Sequence, residues 1–385
     1  MRAENVYLDN AATTLPKPAC VAEAVTRAVT RFAANPGRGG HAFSRAGSDA
    51  LFEARQTAAD FFGAKNPENV VFTPGCTYSL NFAIKGLLRP GDHVIISDTE
   101  HNAVVRPLHS LEKLGVTVSR AHVFENDPDA TLASFSRCVR KNTALVCCLH
   151  ASNVSGIRLP VREIGGLCRR IGVPFIIDGA QSAGLLPLTP GACNADIICV
   201  PAHKGLYGAA GTGAMILSGS AIPETVIEGG TGNASSLRTM PDDAPERFES
   251  GTVNLCGILA MQAGIGFVTR RGRENIARHE YRLMCAAYDE LRKISGVVLY
   301  TSRPEPEGHV PLIPLNIGDL SSEECGRLFS DMGIAVRAGY HCAYDAHLSL
   351  GTKGRGAVRI CPSAFTTEAQ IDYFSDCAAQ IAKKY

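Results

Sequence analysis

The sequence predicts an α/β protein, with a large, mostly parallel sheet wrapped by helices and a smaller α+β domain after it. From about residue 69, short β-branched runs alternate with helical stretches, as parallel strands joined by crossover helices do. Seven such runs precede residue 218, enough for one sheet. After a segment rich in Gly, Ser and Pro the pattern changes. The 385 residues suit about two or three domains. Hydrophobic residues at 45% against charged residues at 19% describe a compact enzyme-like chain and exclude a disordered one.

The first strand is expected at 70–73, ending in Pro74-Gly75, with helical periodicity over 76–88. A strand at 93–97, a helix near 103–114 and a strand at 116–121 follow, then strands at 143–149, 173–178, 196–200 and 213–217. Residues 223–245 read as a long functional loop. Residues 257–294 have helical character and read as a spacer between domains, with Gly264, Gly266 and Gly272 as points where the helix would bend or break. A strand at 310–317, a helix at 321–332, a strand at 357–361 and a helix at 366–383 complete the chain. The expected division is 16–256 for the large domain and 257–385, with the N-terminal segment 1–15, for the small one.

Lys+Arg 38 against Asp+Glu 37 gives a formal net charge of +1, so nothing pulls the molecule toward nucleic acid or an anionic membrane. A small-molecule substrate is expected. The 14 cysteines are scattered through apolar stretches such as 144–149 and form no CxxC pair. Neither a disulfide framework nor a metal site is implied. The N-terminus lacks a signal-peptide core and no 18-residue apolar run occurs, so a reducing cytoplasm is expected. Asn153-Val-Ser and Asn233-Ala-Ser fit the glycosylation pattern, which would require secretion, and are set aside.

Chemistry is concentrated in Pro201-Ala-His-Lys-Gly-Leu-Tyr-Gly-Ala-Ala-Gly-Thr-Gly213, where Lys204 follows an apolar strand and precedes a glycine-rich turn. Alone, a Lys beside a His is more often a solvated pair than a Schiff-base site. Upstream, Val173-Pro-Phe-Ile-Ile-Asp178 places an acid at the end of another apolar strand. Buried there, a carboxylate needs a cation or serves as a cap. A strand-end Asp and a strand-end Lys together are how pyridoxal phosphate (PLP) enzymes hold the ring nitrogen and the aldehyde.

At this point the chain resembles the class V aminotransferase-like, fold type I PLP enzymes, and within them the cysteine desulfurase and selenocysteine lyase group. The resemblance runs from Tyr7-Leu-Asp-Asn-Ala-Ala-Thr-Thr14 to the last helix. It includes Glu100-His-Asn102, His150-Ala-Ser-Asn-Val-Ser-Gly156, Asp178-Gly-Ala-Gln-Ser182, His203-Lys204, Arg247-Phe-Glu-Ser-Gly-Thr252 and Arg337-Ala-Gly-Tyr-His-Cys-Ala343. It implies that Lys204 carries the cofactor, Asp178 pairs with the pyridinium nitrogen, Gln181 bonds the phenolic oxygen and His101 stacks on the ring. The phosphate would be held by Thr77 with the backbone of Gly75 and Cys76 at a helix N-terminus. His203 would add a donor, and Thr252 would complete the partner subunit's site in a homodimer. Arg359 would take the substrate carboxylate, and Asn153 would lie beside the cofactor and contact substrate. Read singly, Thr77 and Thr252 are equally well helix caps, Asn153 a turn residue and Arg359 a surface strand residue.

Two features depart from the family. Pro201 stands where its pattern has a phosphate-binding serine, and Pro offers neither hydroxyl nor N–H. Tyr340 stands where members often have a second His. Cys342 is the decisive residue: it lies in a glycine-containing, mobile segment near Arg337 and His341, a setting expected to favour an accessible thiolate. By the resemblance, Lys204 removes the Cα proton of L-cysteine, the Asp178-backed ring absorbs the electrons, and Cys342 takes the sulfur as a persulfide, leaving alanine. A sulfur-acceptor protein would then unload Cys342. L-selenocysteine is the rival substrate. A class V reaction that forms no persulfide would need Lys204 but not Cys342, and a PLP-fold scaffold protein would need neither.

Overall fold

The computed structural model describes residues 5–37, 39–219 and 221–385; residues 1–4 of the N-terminal segment lie outside the described residues. Strands built on continuous apolar runs should be covered on both faces. That holds for His93–Ser97, Phe175–Asp178, Ile197–Pro201 and Gly213–Leu217, every residue of which is buried. Seven strands form one sheet in the order Val70–Thr73, Gly213–Leu217, Ile197–Pro201, Phe175–Asp178, Thr143–Leu149, His93–Ser97, Thr117–Ala121. All are parallel except Gly213–Leu217, which runs antiparallel to both neighbours. The α/β class and the mostly parallel sheet are as the sequence predicts. The strand expected from 173 begins instead at Phe175, because Pro174 has no N–H for the ladder.

Alternation along the strands divides the core in two. Ile95, Ile177, Ile198, Val200, Ala214 and Ile216 face one layer, which the helices Ala42–Phe62, Val161–Ile171 and Leu255–Arg271 cover. Ile96, Ile176, Ile197, Cys199 and Met215 face the other, under Cys76–Leu87 and Asn102–Glu112.

The expected spacer is two helices, Leu255–Arg271 and Arg273–Leu291, broken at Gly272 with φ of 84°. They belong to different cores. Leu255, Ile258, Leu259, Met261 and Ile265 pack beneath the large sheet. Leu283, Met284, Ala287 and Leu291 join the core of the second unit. Gly264 does not break its helix. A Cβ there would sit 2.0 Å from the Leu206 carbonyl oxygen, so the glycine lets the helix press against the turn that follows Lys204.

The second unit has an antiparallel sheet ordered Arg337–Gly339, Ala357–Ile360, Ile313–Ile317, Val297–Leu299. Val6–Tyr7 pairs with Ile334–Ala335, and Asp9 bridges to Cys361, so the N-terminal segment is stitched to this unit. Ser321 with Glu324 and Thr367 with Gln370 form capping boxes that start the helices Ser322–Asp331 and Glu368–Lys384. Between Leu217 and Leu255 the described residues form no helix or strand, as the loop reading of 223–245 requires. Glu249 pins this segment: it receives the Arg55 guanidinium in a fork at 2.7 and 2.8 Å and the Phe72 N–H at 2.7 Å.

Candidate active site

At the C-terminal ends of the parallel strands the chain turns away and leaves a cleft of about 360 Å³. Gly75, Cys76, Thr77, His101, Asn153, Asp178, Gln181, His203 and Lys204 all line it, together with Pro201. Topology brings them together: five strand ends and one helix start open at one edge of the sheet.

Asp178 ends its strand 4% exposed. Its Oδ1 accepts the Ala180 N–H at 2.9 Å and the Cys76 thiol at 3.5 Å, while Oδ2 has no partner among the described residues. Lys204 follows the next strand. Burial lowers its amine from the usual lysine range, although Asp178 pulls the other way, and its Nζ makes no hydrogen bond or ion pair among the described residues. An acid and an amine thus face one cleft with open valences.

The helix Cys76–Leu87 begins at Gly75, whose φ of 146° is open to glycine, and its first turn lines the cleft with exposed Thr77. The opening N–H groups of a helix have no acceptor within it, so this turn offers donors to an anion. His203 lies close by. Burial first, then Lys204 and Lys17, lower its imidazole to about 4, so it is neutral near pH 7, and its buried Nδ1 has no partner. The His203 carbonyl oxygen accepts from Lys17 Nζ at 2.7 Å and Thr13 Oγ1 at 3.0 Å.

His101 caps the helix Asn102–Glu112: its Nδ1 accepts the Ala103 N–H at 3.0 Å, which leaves Nε2 to carry the proton of the neutral ring. Glu100, just before it, is wholly buried. Its carboxyl accepts from the Ser97 hydroxyl and from the Leu149 N–H at 3.1 Å, and burial lifts it to about 8. Gln181 donates to the Ala11 carbonyl at 3.1 Å, tying the cleft to the N-terminal segment.

Three sequence candidates lie outside the cleft lining. Arg359 is 3% exposed and already engaged, donating to the Asn153 carbonyl at 2.6 Å and to Asp9 Oδ1 at 3.0 Å; its Nε is buried without a partner. Thr252 is exposed on the long loop. Cys342 is the exposed cysteine among the 14. Two backbone contacts hold it beside the cleft. The Cys342 carbonyl accepts the Asn102 N–H at 2.7 Å, and the His341 carbonyl accepts from Asn153 Nδ2 at 2.8 Å.

The surroundings of Cys342 correct two expectations. The segment expected to be mobile continues into a short helix, Tyr344–Ser349. His341 brings no positive charge to the thiol: burial, then Arg359 and His347, push its imidazole down to about 2, so it is neutral. Sequence reading missed Asp9, Glu100 and His347. The first two lie within the motifs of the resemblance, but only the fold shows that Asp9 meets Arg359 and that Glu100 is buried.

The chain is 31% identical over 98% of its length to a probable cysteine desulfurase of Methanothermobacter thermautotrophicus, covering 95% of that protein. It is 30% identical to a cysteine desulfurase of Escherichia coli, over 88% of this chain and 84% of that one. An apo cysteine desulfurase structure from Thermococcus onnurineus superposes with a TM-score of 0.89 at 28% identity, over 99% of this chain and 95% of that one. The aminotransferase class-V profile matches residues 6–374, and the chain belongs to that family.

Proposed function

We propose that the protein is a PLP-dependent cysteine desulfurase that moves sulfur from L-cysteine to Cys342 and releases L-alanine. The observation that carries this reading is the placement of an exposed cysteine beside a cleft that holds a buried lysine and a buried aspartate, with its carbonyl bonded by the Asn102 N–H and the carbonyl of its neighbour His341 bonded by the Asn153 side chain.

The residues present fit the cofactor. Asp178 Oδ2 stands ready for a pyridinium nitrogen, and Lys204 Nζ for an aldehyde. The first turn of Cys76–Leu87 suits the phosphate, with His203 Nδ1 as an unused polar atom nearby. His101 lines the cleft, where its ring would stack on the cofactor's. Pro201 gives no donor, so this cradle rests more heavily on the helix turn. When bound, the cofactor stabilises negative charge at the substrate Cα.

The chain does the rest. Lys204, held below the usual ammonium range, carries the proton at Cα. Asn153 would contact the substrate and Arg359 would take its carboxylate, and each keeps a buried polar atom without a partner, Oδ1 and Nε. Cys342 sulfur then attacks the substrate sulfur. A new S–S bond forms, the Cβ–S bond breaks, the carbon is reduced by the two electrons that oxidise the thiol, and a proton replaces sulfur on Cβ. No external oxidant is required. The small unit would supply Cys342 and Arg359, and the large one Lys204 and Asp178. Thr252, exposed on its loop, would serve the partner subunit's cleft in a homodimer, and a protein thiol would accept the sulfur from Cys342.

The test is alanine release from L-cysteine and L-selenocysteine by the purified protein with PLP and a thiol reductant. Alanine from L-cysteine that disappears in Cys342→Ala is the expected result. Alanine from selenocysteine alone, or release unaffected by Cys342→Ala, would overturn the reading.

A further inference from the structure

Beneath the nucleophile lies a buried pair of rings that the reaction above does not use. His341 and His347 stack with centroids 5.4 Å apart and planes inclined by 8°. His341 Nδ1 is 3.2 Å from His347 Nε2, and His347 Nδ1 is 2.7 Å from Thr352 Oγ1. His347 and Thr352 are buried, at 0% and 1% exposure. Burial lowers His347 to about 4, so this ring is neutral like its neighbour. A neutral imidazole has one donor and one acceptor nitrogen, so the three side chains form a single directed chain that ends at His341 Nε2, which is buried and unpartnered.

The chain sits where the backbone needs support. His341 and Cys342 both lie in the left-handed region, with φ of 53° and 57°. Two consecutive residues with Cβ atoms hold that conformation only where their surroundings impose it. The bonds from Asn102 and Asn153 fix two carbonyls but do not reach the His341 ring. The ring is held by His347, which the helix Tyr344–Ser349 returns toward it six residues on, with the Arg337 backbone as a second contact.

We propose that His347 is a positioning residue for sulfur transfer: by gripping the His341 ring it holds the turn that presents the Cys342 thiol to the cleft. This rests on the desulfurase reading. His347 touches neither substrate nor cofactor cradle, so its effect falls on the step that needs Cys342 and spares the step that needs Lys204.

The experiment separates those steps in the PLP-loaded, full-length protein. Exchange of the cysteine Cα proton with deuterated solvent reports Lys204, and the single-turnover rate of alanine formation reports Cys342. His347→Ala should keep exchange near wild type and slow alanine formation by about tenfold or more, and His347→Gln, which restores a polar partner for His341 Nδ1, should recover part of the loss. If His347→Ala fails to fold, Thr352→Val gives the same split at smaller size. Wild-type alanine formation in whichever of these variants folds, or an equal loss of exchange and alanine formation, overturns the proposal. Failure of the wild-type protein itself to form alanine overturns the desulfurase reading instead.

Discussion

The thiol of Cys76 lies 3.5 Å from Asp178 Oδ1, an oxygen that also receives the Ala180 N–H at 2.9 Å. Burial, reinforced by the Asp178 charge, pushes this thiol far above its usual range, so it stays protonated and donates. With Oδ1 engaged twice, Oδ2 is the oxygen left for a ring nitrogen. Cys76→Ala removes one of the two donors that share the negative charge of this oxygen. The absorbance midpoint of the lysine-bound cofactor should therefore rise, by less than about one pH unit for a weak neutral donor. An unchanged titration would show that the contact has no electrostatic effect.

Gly264→Ala should damage the enzyme through packing alone. Its new Cβ would fall 2.0 Å from the Leu206 carbonyl oxygen, and backbone has no easy way to yield. Overpacking of this kind costs about 1–3 kcal/mol, visible as a lower urea midpoint. Because Leu206 is two residues beyond Lys204, PLP retention on dialysis should weaken as well. A variant with unchanged midpoint and retention would show that the helix can shift without cost.

Glu280 provides a pH prediction. It is 7% exposed, accepts from the Tyr207 hydroxyl at 3.3 Å, and burial raises its carboxyl from 4.5 to about 8. Between these values the folded protein holds a proton that the unfolded chain has released. The associated stability is therefore complete below about pH 4.5 and is lost as pH rises toward 8. Glu280→Gln cannot titrate. Its melting temperature should gain on wild type between pH 5.5 and 8, by an amount on the order of a few kcal/mol in stability. Glu100, also lifted to about 8, keeps part of the slope in the variant. Parallel curves for the two proteins would contradict the assignment.

Glu249→Ala should strand Arg55. The pair is buried, with both side chains 7% exposed, and removing one partner of a buried ion pair costs about 3–5 kcal/mol. The Phe72 N–H loses its acceptor at the same time. Faster proteolysis within 221–254 and a lower unfolding midpoint are expected. An unchanged digestion pattern would mean that the loop is held elsewhere.

The seven strands were legible because each is a short apolar run bounded by turn residues, and the Lys204 and Asp178 positions were legible because each ends such a run. The helices Ala19–Arg31 and Ala42–Phe62 were missed although Val21, Ala24 and Ala28 recur at helical spacing, because the buried faces of both are mostly alanine, a weak apolar signal. Gly264 and Gly272 look alike in the sequence. Only packing separates the one that admits a neighbouring carbonyl from the one that ends a helix. The same limit applied at Cys342: proximity to His341 in sequence suggested a cation, whereas the fold buries that ring against His347 and keeps it neutral.

The reversed strand Gly213–Leu217 also acts as a ruler. Gly213 is the rung between Thr73 and Pro201, so the start of the Cys76 helix and the approach to Lys204 stand two strand spacings apart, roughly 10 Å. That span suits a phosphorylated ring laid across the strand ends. A Cβ on Gly213 would meet the Gly75 carbonyl carbon at 2.8 Å and the Cys76 nitrogen at 2.9 Å, so any side chain at this rung would lift one end of the gauge and change the length of molecule it measures.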